Sequence, residues 1–274
     1  MKHRELITRL VAWFAETARD LPWRRTGDPY GIWVSEVMLQ QTQVKTVIPY
    51  WERWMRELPT IASLAKSKSE KIHKLWEGLG YYHRVRNMQR AAQLIVREHG
   101  GRFPMEFDEV LKLPGIGRYT AGAICSIAFG QPRPILDGNV IRVLTRVFGI
   151  AGDPGESETK AKLWSLAEDL VREAPKLTNR CPPCPALPSA AGKAVPTIYP
   201  AMVRSKRRVL LLEYALQSSS VRAAPHAASH FNQALMELGA LVCSPREPKC
   251  PVCPLANGCV AFRDGRVSQL PMKG

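Results

Sequence analysis

Apolar residues recur at three- and four-residue spacing along most of the chain, a pattern typical of amphipathic helices. Runs that alternate apolar and polar residues, as strands do, are nearly absent. Glycine- and proline-containing breakers such as GDPYG, GLGYY and LPGIG separate the periodic stretches. The pattern therefore predicts an all-α fold, with helices over 4–17, 31–48, 61–66, 70–78, 84–98, 106–112, 118–129, 138–148, 159–172 and 230–243.

The stretch 173–228 departs from this periodicity. It holds 8 of the 22 prolines of the chain, together with serine- and alanine-rich patches. Such a composition buries too little apolar surface to offset the entropy of ordering the chain. We interpret 173–228 as a poorly ordered insertion, with one short helix around 205–216.

Charge narrows the range of partners. The 274 residues include 39 Lys+Arg and 24 Asp+Glu, a formal net charge of +15. This surplus favours a polyanionic partner, because neutralised phosphates release their counterions. A merely basic enzyme without such a partner is the alternative. No run approaches the roughly 18 apolar residues that span a bilayer, and the N-terminus does not resemble a signal peptide. We expect an intracellular protein that does not bind membranes.

Four of the seven cysteines lie together near the C-terminus, with six, two and five residues between them: Cys243, Cys250, Cys253 and Cys259. Disulfides are rare inside cells, and two-knuckle zinc sites usually carry two close cysteine pairs. The uneven spacing instead favours an iron–sulfur cluster. Cys125 lies in an apolar run and is interpreted as a buried small residue. Cys181 and Cys184 form a single pair to which no role is assigned.

Two glycines, Gly115 and Gly117, precede a helical run in LPGIGRYTAG. Glycines before a helix let backbone amides approach a phosphate, although many such sequences are ordinary turns. In a basic protein the motif resembles a helix-hairpin-helix, which binds the DNA backbone without reading sequence. Tyr119 follows this turn, and we expect its ring to be exposed to solvent.

Two acidic residues are candidates for catalysis. Asp137 stands at the start of a predicted helix, where it is either an N-cap alone or also a carboxylate on the floor of a cleft, kept ionised by the helix N-terminus. Glu36 lies on a helix with Ile32, Trp33 and Leu39 one turn away. An isolated glutamate is usually solvated, but this apolar face should raise its pKa and suit a proton donor. We expect the two pKa values to be pushed apart.

These motifs together resemble the helix-hairpin-helix DNA glycosylases, and within them the adenine DNA glycosylases of the MutY type. The resemblance covers 1–172 and 229–274. It is carried by the cysteine loop and by DLPWR (20–24), WVSEVMLQQTQV (33–44), GLGYYHRVRNM (78–88), LPGIGRYTAGAI (113–124), LDGNVIRVLTRV (136–147) and FNQALMELGALVC (231–243).

The resemblance implies two helical domains with a DNA groove between them. A six-helix barrel that contains the helix-hairpin-helix would span 22–137. The second domain would combine 1–21, 138–172 and 229–262, and its four cysteines would hold a 4Fe-4S cluster. This family usually continues into a second, mostly β domain that recognises 8-oxoguanine, and we expect that domain to be absent here.

The resemblance also implies roles for individual residues. Glu36 would protonate a flipped adenine, and Asp137 would stabilise the cationic sugar with support from Tyr119 and Asn139. The other implied contacts to DNA are an adenine pocket of Trp23, Arg24 and Gln233, a wedge of Gln41 and Tyr81, and the hairpin glycines Gly115 and Gly117.

The function implied is hydrolysis of the N-glycosidic bond of adenine opposite guanine or 8-oxoguanine in double-stranded DNA, by a monomer. Relatives resembling endonuclease III carry a lysine where this sequence has Tyr119, and a phenol cannot form the Schiff base that cuts the strand. We therefore expect base removal without strand cleavage. The alternatives are a thymine–guanine mismatch glycosylase of the same superfamily and a catalytically impaired DNA-binding protein.

Overall fold

The structure, a computed structural model, describes residues 1–178 and 225–272. Within these ranges it contains helices and short 3-10 turns but no strand, so the predicted all-α fold is confirmed. The α-helices are α1 (His3–Thr17), α2 (Pro29–Met38), α3 (Val44–Glu57), α4 (Ile61–Lys66), α5 (Ser69–Trp76), α6 (His83–Glu98), α7 (Phe107–Leu111), α8 (Arg118–Phe129), α9 (Gly138–Phe148), α10 (Ser157–Thr178), α11 (Pro225–Leu241) and α12 (Val260–Arg263).

One predicted helix is wrong. The stretch 31–48 is divided between α2 and α3, with a break at 39–43 where Gln41 adopts a positive φ of 57°. Helix α3 then continues through Pro49 to Glu57. The proline lies in the second turn of α3, where its missing N–H costs one hydrogen bond without ending the helix.

The ends of the predicted insertion are also helical. Helix α10 runs on to Thr178, and α11 begins at Pro225. The proposed short helix around 205–216 and the pair Cys181 and Cys184 lie outside the described residues.

Two clusters of buried apolar side chains hold the helices together. The first draws on residues between Leu21 and Cys125, and its largest fully buried members are Trp33, Trp54 and Trp76. Each fully buried aliphatic side chain of this cluster contributes about 1.5–3 kcal/mol. Cys125 is buried in this cluster, as the sequence predicted.

The second cluster packs α1, α9 and α10 around α11. Helix α9 shows why these helices associate, because Val140, Val143, Leu144 and Val147 form one continuous apolar stripe. Helix α8 contributes side chains to both clusters. Its N-terminal turn therefore lies at the junction between them, beside the cleft that holds the candidate site.

None of the helices in the described ranges is long and apolar enough to cross a membrane.

Candidate active site

A cleft of about 970 Å³ opens where α2, α8, α9 and α11 meet. The predicted site residues that line it are Trp23, Arg24, Glu36, Gln41, Tyr119, Asp137, Asn139 and Gln233. Tyr81, Gly115 and Gly117 are outside its lining. The cleft therefore brings together both candidate acids and most of the predicted substrate contacts, from segments far apart in the sequence.

Glu36 lies on α2 with only 6% of its surface exposed. The pKa of Glu36 is raised to about 7, chiefly by burial and to a smaller extent by the negative charge of Asp137. A hydrogen bond from the Tyr119 hydroxyl and the positive charge of Arg24 oppose this rise in the pKa. A carboxyl group with this pKa still holds its proton in a large fraction of molecules near neutral pH, as a general acid requires.

Tyr119 does not have the exposed ring that the sequence suggested. The ring packs against the second apolar cluster, and the hydroxyl donates to Glu36 Oε2 at 2.8 Å and to the Met236 sulfur at 3.3 Å. Tyr119 lies on the side of α8 that faces α2 and α11, which explains the difference. Burial and the two nearby acids raise the pKa of Tyr119 well above its usual value, so its hydroxyl is a neutral donor.

Asp137 is the N-cap of α9. Its carboxylate accepts hydrogen bonds from the Val140 N–H at 2.7 Å and from Asn139 Nδ2 at 2.9 Å. Burial nevertheless raises the pKa of Asp137, while these donors oppose the rise. Burial thus raises the pKa of both acids, and the expectation that their pKa values are pushed apart stays a prediction. They differ in their partners, because several donors stabilise the ionised form of Asp137.

Asn139 is itself held by a second layer of contacts. Arg142 Nη2 donates to Asn139 Oδ1 and to the Gly239 carbonyl, both at 2.8 Å, and Arg142 Nε donates to the Cys243 carbonyl at 2.7 Å. A Cβ on Gly239 would lie 2.6 Å from Asn139 Cβ, so this position has no room for a larger residue. The chain of contacts joins the cysteine loop to Asp137. Sequence reasoning missed both Arg142 and Gly239.

A buried ion-pair network forms one wall of the cleft. Arg24 Nε donates to Gln233 Oε1 at 3.0 Å, and both Arg24 and Arg19 bind the Glu237 carboxylate, at 3.0 and 2.7 Å. Burial alone would raise the pKa of Glu237, but hydrogen bonds from the two arginines lower it to about 2. Glu237 was missed in the sequence, although it is an acidic residue within an apolar helical run, as Glu36 is.

Comparisons with known proteins show which family the chain resembles. Residues 34–169 match the model of the HhH-GPD superfamily of base excision DNA repair proteins. Curated relatives match nearly the whole chain, among them the adenine DNA glycosylases of Rattus norvegicus (40% identical, 96% of this chain) and Homo sapiens (39% identical, 97% of this chain). The chain belongs to the HhH-GPD superfamily.

These relatives are longer than the chain, which spans 43% of the rat protein and 41% of the human protein. It spans 61% of the adenine DNA glycosylase of Buchnera aphidicola from Schizaphis graminum, with 36% identity over 96% of its own length.

Solved structures share the superfamily fold. A thermostable thymine-DNA glycosylase superposes with a TM-score of 0.70 at 24% identity, covering 96% of this chain and 97% of that one. An endonuclease III in a non-covalent DNA complex superposes with a TM-score of 0.61 at 19% identity, covering 97% of this chain and 98% of that one.

The hairpin of this HhH-GPD chain lies on the surface, before α8. Gly115 has a φ of +78°, and a Cβ there would lie 2.7 Å from Asn87 Cβ, so glycine is required for two reasons. Gly117 is the N-cap of α8 and is exposed, and a Cβ there would meet nothing within 4 Å. Its open surroundings leave the N-terminus of α8 accessible to an anion.

The cysteines predicted to be ligands, Cys243, Cys250, Cys253 and Cys259, line one pocket beside α9 and α11. Arg146 Nη1 lies 3.4 Å from the sulfur of Cys243. The pKa of Cys253 is raised to about 11, chiefly by burial and to a smaller extent by the other three thiols. No group of His, Cys, Asp or Glu side chains in the described ranges is arranged to hold a single metal ion. Four thiols around one pocket fit an iron–sulfur cluster, which spaces its ligands more widely than one ion does.

Proposed function

We propose that this chain removes adenine mispaired with guanine or 8-oxoguanine from double-stranded DNA. One observation carries the proposal: the Tyr119–Glu36 hydrogen bond places a carboxyl group of pKa about 7 in the same cleft as Asp137. The curated relatives named above are adenine DNA glycosylases, which supports adenine as the base.

DNA as the partner is supported by charge and by shape. The formal net charge of +15 favours a polyanion. A base inside a duplex is inaccessible to a side chain, so it must rotate out of the stack into a pocket. The cleft offers such a pocket, and the glycine hairpin before α8 offers backbone amides to a phosphate. We extend the proposal to a monomer with two helical domains, 22–137 and the combination of 1–21, 138–172 and 229–262.

In this reaction Glu36 is the general acid. Cleavage of the N-glycosidic bond leaves negative charge on the departing base, and protonation of a purine nitrogen neutralises it. Glu36 keeps its proton near neutral pH because burial disfavours its ionised form. The hydroxyl of Tyr119 fixes the orientation of its carboxyl group through Oε2.

Asp137 acts on the sugar. Departure of the base produces an oxocarbenium-like cation, which an ionised carboxylate stabilises. Val140 N–H and Asn139 Nδ2 hold Asp137 in place, and Arg142 in turn holds Asn139. Water then completes hydrolysis, because Tyr119 offers no amine to form a Schiff base. The reaction ends at an abasic site with the strand intact.

The wall of the cleft that recognises the base contains Trp23, Arg24 and Gln233. Arg24 is fixed by Glu237 and holds the Gln233 carbonyl oxygen, so the wall is positioned before substrate arrives. Gln41 and Tyr81 enter the gap that the flipped base leaves in the stack.

The cysteine quartet Cys243, Cys250, Cys253 and Cys259 would hold a 4Fe-4S cluster. Such a group would crosslink the C-terminal loop, and that loop contacts Arg142 through the Cys243 carbonyl.

A base-release assay tests the proposal. Duplexes carry adenine or thymine opposite guanine or 8-oxoguanine, and each reaction is divided so that one half receives hot alkali. We expect release of adenine from both mispairs, no release of thymine, and strand breaks in the alkali-treated half only. Release of thymine, or no release of any base, contradicts the proposed substrate. Breaks without alkali at the rate of base release contradict the hydrolytic route.

A further inference from the structure

Gln41 and Tyr81 share an unusual backbone conformation. Their φ angles are 57° and 46°, and within the described residues they are the non-glycine residues with positive φ. Both side chains are exposed, Tyr81 by 55%. Gln41 lies in the break between α2 and α3 at the rim of the cleft, and Tyr81 lies in the loop before α6. Strain of this kind persists only where surrounding contacts hold it in place.

A single buried guanidinium, that of Arg84, holds both loops. Its Nη1 donates to the carbonyl oxygens of Gln40 at 2.7 Å and Val37 at 2.9 Å. Its Nη2 donates to those of Leu79 at 2.9 Å and Gly80 at 3.3 Å. The residue is only 5% exposed, so water does not compete for these carbonyl groups.

Two of these acceptors immediately precede the strained residues. The Gln40 carbonyl belongs to the peptide unit that leads into Gln41, and the Gly80 carbonyl to the one that leads into Tyr81. Rotation about either φ angle requires movement relative to that peptide unit. One side chain therefore sets the backbone direction of both exposed residues.

Aromatic rings complete the arrangement. The Arg84 guanidinium carbon lies 5.2 Å from the ring centroid of Trp76 and 5.4 Å from that of Tyr81. The indole N–H of Trp76 also donates to the Gly80 carbonyl at 2.9 Å. A planar guanidinium can stack on rings while its fork binds two loops, whereas an ammonium group cannot do both.

We propose that Arg84 is a positioning residue that presents Gln41 and Tyr81 as one unit for insertion into the base stack when the target base leaves it. This inference rests on the proposed function, since it assigns the opening of the duplex to two loops coupled by a residue that touches neither the base nor the sugar.

The test separates base flipping from chemistry. The target adenine is replaced by 2-aminopurine, whose fluorescence rises when it leaves the stack, and affinity is measured by anisotropy on the same duplex. Single-turnover release is measured on the adenine duplex. The variants are Arg84→Met, Arg84→Lys, the double variant Gln41→Ala/Tyr81→Ala and the triple combination with Arg84→Met. Arg90→Met, at an exposed arginine of the same helix, controls for lost charge.

We expect Arg84→Met to lose most of the fluorescence rise and up to about a hundredfold in release rate, since a misplacement of about 1 Å can cost that much. Arg84→Lys should recover part of both signals, and Arg90→Met should match the unsubstituted protein. The triple variant should release adenine no more slowly than the double variant, because Arg84 acts through the two residues already removed.

An unchanged fluorescence rise in Arg84→Met contradicts the proposal, as does full additivity in the triple variant. If Arg84→Met does not fold, Arg84→Lys replaces it. A fluorescence rise and a release rate that are both lower than those of the unsubstituted protein then support the proposal, and unchanged values contradict it. Failure of the unsubstituted protein to release adenine contradicts the proposed function instead, so the two failures are distinguishable.

Discussion

The hydroxyl of Tyr119 donates a hydrogen bond to Glu36 Oε2 at 2.8 Å, across 83 positions of the sequence. This contact joins the first turn of α8 to the buried face of α2. It stabilises the ionised form of Glu36 and so limits the rise in pKa that burial imposes.

Removal of this donor by Tyr119→Phe should raise the pKa of Glu36. Because we propose that Glu36 acts in its protonated form, the alkaline fall in the adenine-release rate should then occur at higher pH. A pH–rate profile under single-turnover conditions measures the midpoint. Tyr50→Phe is the control, since the Tyr50 hydroxyl binds the Glu77 carbonyl outside the cleft. A midpoint that stays in place or falls in Tyr119→Phe would contradict the role given to this hydrogen bond.

Glu36→Gln should abolish proton donation and make stability less dependent on pH. The pKa of Glu36 rises from 4.5 to about 7 on folding. The folded state therefore keeps a proton that the unfolded state loses between these values, so stability falls as pH rises and levels off above about 7.

The Glu36→Gln variant lacks this pH-dependent loss. Between acidic and alkaline pH its free energy of unfolding should therefore rise by on the order of 3 kcal/mol relative to that of the unsubstituted protein. Urea unfolding at pH 4 and pH 8 measures the difference. An equal difference between the two proteins at both pH values would show that Glu36 is not buried in its protonated form.

The helix boundaries show what periodicity can and cannot predict. Helices α4, α8 and α9 begin and end where the apolar repeat and the flanking turn residues predicted. The apolar repeat did not predict the break between α2 and α3, because the residue that stabilises the break lies far away in the sequence. The carbonyl groups of Val37 and Gln40 bind Arg84, more than 40 positions along the chain, instead of continuing the helix.

The residues of the candidate site also divide into those that the local sequence predicts and those that depend on distant packing. Glu36 and Asp137 could be selected from neighbours within one helical turn. The direction of Tyr119 and the burial of Glu237 could not, because both depend on where α11 packs. The local sequence does not show that position 239 requires glycine, because the requirement comes from the close approach of Asn139 on another helix.

Gly239→Ala tests that approach. The added Cβ would lie 3.0 Å from the Asn139 carbonyl oxygen and closer still to its Cβ, so Asn139 and α11 must move apart, which disturbs the contact between Asn139 and Asp137. We expect a loss of about 1–3 kcal/mol in stability from overpacking, with a lower rate of adenine release. Gly27→Ala, where a Cβ meets nothing within 4 Å, is the control for both measurements. A variant as stable and as active as Gly27→Ala would show that the contact is not tight.

Cys253→Ser tests the proposed cluster. The purified unsubstituted protein should contain iron and acid-labile sulfide, and the variant should lose both together with DNA affinity before it loses helical circular dichroism. Cys125→Ala, at the buried cysteine of the first apolar cluster, should keep its iron. A colourless unsubstituted protein with stoichiometric zinc would contradict the cluster.

The central claim is that Asp137 acts on the sugar cation and not merely as the cap of α9. Asp137→Asn keeps an oxygen to accept the Val140 N–H but removes the charge. Binding of this variant to an adenine–8-oxoguanine duplex and its single-turnover rate of adenine release are therefore the most direct measurement. We predict affinity close to that of the unsubstituted protein and a rate lower by about a hundredfold or more, as for other lost electrostatic contacts in a transition state. An unchanged rate at unchanged affinity would contradict the account.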